Sequence, residues 1–122
     1  LSNRDDKKVE WTDIKNKEKG YVNKYLELKH IGKNLPALFR CEKVQKKSEM
    51  IDDNIEQKLE DLKFYINQFE KEYKVKSEKE ITLLIGEMLF KITEIGTSLN
   101  LQAEFALNNR IDEYIEKFKV KE

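Results

Sequence analysis

The chain has 122 residues, and its 24 Lys and Arg balance its 24 Asp and Glu, so a very high charged fraction of 39% leaves no net charge. That balance excludes a general nucleic-acid or membrane-surface footprint, which needs a one-sign patch, and no apolar run nears the roughly 20 residues that span a bilayer. Only 4 Gly and 1 Pro leave little for the turns of an all-β fold. The length suits one domain with a single core. A lone Cys41 allows no internal disulfide and fits a reducing, cytoplasmic setting. No signal-peptide pattern opens the chain, and its start at Leu1 rather than Met suggests a piece of a longer protein.

Residues 1–34 read as a connector without a sustained period. Trp11 and Ile14 lie three apart and Gly20 follows, so a short amphipathic helix is expected here. From Tyr21 to Asn34 the connector continues. His30 stands there without a second His or a ligand cluster, which argues against a metal role.

Residues 35–122 read as four helices. Pro36 is suited to the first helical position, so the first helix is expected to begin there. It turns Leu38, Cys41 and Val44 to the core, with Arg40, Lys43, Gln45, Lys46 and Lys47 on its polar side. Arg40, Lys43 and Lys47 are the candidates for phosphate contact. Asp52-Asp53-Asn54 offers N-caps for the second helix. Its Ile55, Leu59, Leu62, Ile66, Phe69 and Tyr73 repeat at helical spacing as one seam.

Ser77-Glu78-Lys79-Glu80 is a capping box opening the third helix. Its stripe Ile81, Ile85, Met88, Ile92 and Ile95 is widened by Leu84 and Leu89, beyond what three neighbours require, which suggests a homodimer. Gly86 lies inside this helix at a cost of roughly 1 kcal/mol relative to Ala and predicts a close helix–helix approach. Gly96 is expected to end it as a C′ residue. The fourth helix follows Asn100, with Ala103, Ala106 or Leu107, Ile111, Tyr114 or Ile115 and Phe118 inward. The short link between the second and third helices predicts an antiparallel hairpin inside an all-α, four-helix antiparallel bundle.

Three stretches together resemble the MazG-type all-α nucleoside triphosphate pyrophosphohydrolases. Trp11-Thr12-Asp13-Ile14-Lys15-Asn16-Lys17-Glu18-Lys19 is similar to the W-x-x-I-K-x-x-E-K segment before a MazG domain. Leu35-Pro36-Ala37-Leu38-Phe39-Arg40-Cys41-Glu42-Lys43-Val44-Gln45-Lys46-Lys47 is similar to L-P-A-L-L-R-A-x-K-x-Q-x-K. Gly86-Glu87-Met88-Leu89-Phe90 is similar to G-D-L-L-F, with Leu101 to Phe118 resembling the family's fourth helix. The resemblance implies a nucleoside triphosphate cleaved to monophosphate and pyrophosphate. It also implies magnesium held by E-E-x-x-E on the second helix and E-x-x-D on the third. Carboxylates three apart share a helix face, and two such helices can hold oxygen-seeking Mg²⁺.

Carried over, the E-E-x-x-E positions hold Gln57, Lys58 and Asp61, and the E-x-x-D positions hold Leu84 and Glu87. Asp61 and Glu87 alone keep a carboxylate. The G-F-D-W loop expected after the first helix is missing, and Ile111 and Glu113 replace an Asn and a Lys expected at the nucleotide. The expectation is a MazG-like domain with a degraded site, serving dimerisation or an upstream catalytic domain of the same protein. Two rivals stand beside it. One is an active enzyme with a reduced magnesium set, Asp61 and Glu87 helped by Glu60 or Glu56; the other is a helical adaptor.

Overall fold

A computed structural model describes residues 23–120. The Trp11 segment lies outside the described residues. The chain divides between Gly32 and Lys33 into two units. In the first, a helical stretch covers 23–29 inside what the sequence suggests is a connector, and ends where the His30 amide donates to the Leu26 carbonyl at 2.9 Å.

The second unit holds four helices: α1 (Ala37–Lys47), α2 (Ile55–Glu72), α3 (Glu78–Ser98) and α4 (Ala103–Glu116). Among the described residues there is no strand, and no helix is long and apolar enough to cross a membrane.

The caps explain the helix starts. Pro36 is the N-cap of α1 rather than its first residue, and its carbonyl accepts from the Arg40 amide at 2.9 Å. The Asn54 side chain accepts from the Gln57 amide at 3.1 Å. Ser77 Oγ accepts from the Glu80 amide at 3.2 Å and donates to Glu80 Oε1 at 3.1 Å. The Asn54 and Ser77 side-chain caps are each worth about 1 kcal/mol.

The end of α3 differs from expectation. Asn100, at φ 59°, takes the left-handed C′ place. Its amide donates to Thr97 O (3.1 Å), and the Leu101 amide donates to Gly96 O at 2.8 Å, the two bonds of a Schellman turn. Gly96 therefore lies three residues before the cap. Its missing side chain matters because a Cβ there would stand 3.3 Å from the Leu101 carbonyl.

The α2–α3 hairpin is antiparallel, as the cross-helix pairs Lys58–Glu94 and Lys91–Asp61 show, one number rising as the other falls. α1 lies on α3, and α4 touches α1 and α3. α4 meets the rest through Ala103, Ala106 and Leu107, which line a cleft with Leu38, Leu89, Ile92 and Thr93. Farther along, Ile111, Tyr114, Ile115 and Phe118 are exposed, contrary to their expected inward placement.

Burial inverts the usual order. Among the described residues the buried side chains are Glu42, Gln45, Lys58, Thr93, Glu94 and Thr97, and no apolar side chain joins them. Gln45, expected on the polar side of α1, is completely buried. Its Nε2 donates to Phe90 O at 3.0 Å and its Oε1 accepts from Thr97 Oγ1 at 3.2 Å. Buried amides need such partners, and these tie α1 to α3. The expected apolar seam of α2 is only half covered, with Leu59, Ile66 and Tyr73 exposed. The face that α2 turns to α3 is rotated toward Lys58, Asp61, Leu62 and Tyr65. Among the described residues Gly86 makes no close approach: a Cβ there would meet nothing within 4 Å.

Candidate functional site

Helical spacing builds the site on the facing sides of α2 and α3. Lys58, Asp61 and Tyr65 recur at three and four residues on α2, as Glu87, Lys91 and Glu94 do on α3. In the antiparallel hairpin these rows meet.

Lys58 is 4% exposed. Its ammonium is paired with the Asp52 carboxylate, donates to the Asp52 carbonyl at 3.3 Å, and stands 3.9 Å from Glu94 Oε2. Lys91 lies 2.8 Å from Glu94 Oε1 and 3.4 Å from Asp61 Oδ2. Glu94, itself buried, thus has one ammonium at each oxygen. Asp61 also accepts from Gln57 Nε2 at 3.0 Å. Glu87 is exposed and stands near the Tyr65 hydroxyl, which also feels Lys91 and Asp61. Tyr65 therefore links the neighbourhoods of the two carboxylates that the sequence singles out. Leu84, at the other α3 position, is half-buried.

The remaining candidates lie elsewhere. Glu56 and Glu60 face outward along a groove with Lys63, which pairs with Glu60 at 3.3 Å. α1 turns Cys41 and Gln45 to α3. Lys43 instead covers the Phe39 ring at 4.9 Å. Arg40 is half-buried and its Nε has no hydrogen-bond partner.

Electrostatics follow from the pairing. Gln57, then Lys91, holds the Asp61 carboxyl below its ordinary value against some desolvation. Asp52 is lowered by its bond to Lys58 and then by the Asn54 amide. Burial pulls Lys91 down, but Glu94 and Asp61 outweigh it and leave it raised. Burial and then Glu87 raise Tyr65. Burial also raises Cys41, opposed by a hydrogen bond with Thr93 and helped by Glu94.

The signs give a pH prediction. Depressed carboxylates contribute above their unfolded value of 3.8, and that contribution is lost as pH falls through their lower folded values. Raised Lys91 and Tyr65 favour the fold below their unfolded values of 10.5 and 10.0 and lose it as pH climbs through the folded ones. The thermal midpoint is expected to be flat across neutral pH and to fall below about pH 4 and above about pH 10. A midpoint that declines steadily from pH 5 to pH 9 would contradict this linkage.

Among the described residues, no group of three or more His, Cys, Asp or Glu is arranged to hold a metal ion. The donor set does not fit Mg²⁺ either, because Lys91 already pairs with Asp61 and Glu94, and Lys58 stands at the other oxygen of Glu94. A divalent ion about 4 Å from one ammonium meets about 8 kcal/mol of repulsion at an effective dielectric near 20. That equals the whole binding free energy of a roughly micromolar ligand.

Sequence reasoning identified Lys58 and missed Lys91 and Glu94. The missed signal was spacing, since Lys91 lies seven residues beyond Leu84, two turns along the same face.

No family model and no solved structure matches the chain. It is 28% identical over 120 residues to the nucleoside triphosphate pyrophosphohydrolase/pyrophosphatase MazG of Thermotoga maritima. That alignment covers 90% of this chain and 43% of the relative, so the chain spans less than half of the curated protein it matches.

Proposed function

We propose that this chain is a MazG-like domain of the nucleoside triphosphate pyrophosphohydrolase type in which lysine ammonium groups have replaced the catalytic metal. Its four helices act as the family's bundle, and it serves self-association and the support of a catalytic domain elsewhere in the same cytoplasmic protein. The observation that carries this is the buried Lys58 at a metal-ligand position, together with Lys91 across the seam. Similarity to the Thermotoga protein supports the family reading.

Without a divalent ion the site lacks what neutralises phosphate charge and activates water in such hydrolases. Asp61 and Glu87 have been turned to other tasks. Asp61 accepts from Gln57 and pairs with Lys91, and Glu87 stands beside the Tyr65 hydroxyl, whose ionisation it opposes.

The test is pyrophosphate release from each common nucleoside triphosphate with Mg²⁺. No turnover above the uncatalysed rate is expected. Turnover abolished by Asp61→Asn or Glu87→Gln would establish the rival reading, an active enzyme with a reduced magnesium set.

A further inference from the structure

The link between α1 and α2, residues 48–54, is fastened to the hairpin at Asp52. Its carboxylate and its carbonyl both take the ammonium of Lys58, in the first turn of α2. The two partners differ in exposure: the Lys58 side chain is 4% exposed and the Asp52 side chain 64%. The link therefore lies on the water side of the ammonium. Behind the ammonium stands Glu94 of α3, with Oε2 at 3.9 Å, farther than a hydrogen bond reaches. Lys58 thus has one carboxylate bonded to it from a link and another waiting on a helix. Both ends of the link are tied to the helices they adjoin. Ser48 Oγ donates to the Gln45 carbonyl at 3.0 Å, and the Asn54 side chain caps α2. Glu49 stands at φ 60°, a left-handed conformation that a residue with a Cβ adopts at a cost. The backbone is strained where the link leaves α1.

We propose that this link is a strap latched by Lys58, which opens while the helices stay folded, the ammonium passing from Asp52 to Glu94. A shift of about 1 Å would bring the ammonium to bonding distance of Glu94. Opening therefore leaves no buried charge without a partner, the penalty that otherwise keeps a buried ion pair shut. The Asp52 carboxylate, already more than half exposed, returns to water. Release also relieves the strain at Glu49. Short surface segments open at far lower free energy than the domain they belong to. Salt sets the bias between the two positions. Counterions reach the exposed Asp52 but not Glu94, which is 5% exposed, so screening weakens the closed pair more than the open one. The open strap gives solvent a path to Lys58 and Glu94 at this end of the seam. The strap follows from the contacts of Lys58 alone and does not depend on the loss of a metal.

Backbone ¹⁵N relaxation of the full chain tests this in the wild type, Asp52→Asn and Asp53→Asn. Asp52→Asn keeps the oxygen that accepts from the Asn54 amide, now at 2.8 Å, and removes only the charge. Asp53 is the neighbouring exposed carboxylate, so Asp53→Asn is the control. At low salt the wild-type amides of residues 50–53 are expected to show the order parameter of a rigid backbone, about 0.85, and to fall below about 0.6 in Asp52→Asn. α2 and α3 stay rigid in both, and Asp53→Asn matches the wild type. In about 1 M NaCl the wild type is expected to lose order over the same four residues, and Asp52→Asn to change no further. A strap as ordered in Asp52→Asn as in the wild type overturns the latch, as does a wild-type strap indifferent to salt. Loss of order that extends through α2 and α3 overturns it too, because strap and helices would then open together. An equal loss in Asp53→Asn overturns it as well, since the pairing with Lys58 would not be the cause. None of these readouts involves metal or nucleotide, so the lysine-substituted site is judged separately.

Discussion

Lys58→Glu is expected to lower the melting midpoint sharply in metal-free buffer and to regain much of the loss in millimolar Mg²⁺ or Mn²⁺. The substitution removes an ammonium that is 4% exposed and introduces a carboxylate beside the buried Glu94, within a cluster that also contains Asp61. Breaking a buried ion pair costs about 3–5 kcal/mol, on the order of 10–20 °C for a domain of this size. Lys91 still contacts Glu94 at 2.8 Å, which keeps the cost within that range despite the added charge. The new carboxylate supplies hard oxygen on α2, and divalent ions seek such clusters. Lys58→Met is the companion variant: it should lose stability without acquiring a response to metal. Circular dichroism melts with chelator and with metal distinguish the two. A Lys58→Glu protein melting at the wild-type midpoint would show that the ammonium contributes nothing to the seam.

Gln45→Ala is the second large effect. Its amide is wholly buried and spans from α1 to two points on α3, the Phe90 carbonyl and the Thr97 hydroxyl. Truncation removes both bonds and opens a cavity, for a loss of about 2–4 kcal/mol. The Phe90 carbonyl sits inside a helix and the Thr97 hydroxyl keeps its bond to Thr93 O at 2.8 Å, so the lower half of that range is expected. Gln45→Met preserves volume and should lose about half as much. Urea unfolding checks both, and a Gln45→Ala midpoint equal to wild type would mean that α1 is held on α3 by other contacts.

Local chemistry made much of the fold legible. Asn54 and Ser77 cap the helices they were expected to cap, because a cap depends on three or four neighbouring residues. The α2–α3 hairpin followed from two long apolar periods and a short link. Misreadings arose where the answer depended on which way a helix turns. Gln45 stands among lysines and reads as polar surface, yet it is the most buried side chain of α1. Gly96 has the composition of a helix stop, but Asn100 closes the turn. The seam Leu59, Ile66 and Tyr73 has a sound period, but α2 is rotated so that Lys58 and Tyr65 meet α3 instead.

The site was legible in part for the same reason. Lys58 stood out because a positive charge occupies a place where the resemblance calls for a carboxylate. Lys91 and Glu94 did not, because Phe90-Lys91-Ile92-Thr93-Glu94 offers charges and apolar residues in alternation, and only the antiparallel pairing shows which of them meet α2. The lack of buried apolar side chains among the described residues was likewise invisible, since a hydrophobic period shows that a face seeks cover and not where the cover comes from.

The most direct test of the central claim, that two lysines stand in the metal's place, is a Mn²⁺ titration of the wild-type chain followed by paramagnetic resonance, with Lys58→Glu titrated in parallel. The expected result is free Mn²⁺ throughout with the wild type and bound Mn²⁺, displaced by Mg²⁺, with Lys58→Glu. Wild-type binding that Asp61→Asn removes would contradict the account, because it would mean that the carboxylates hold their metal with both lysines in place.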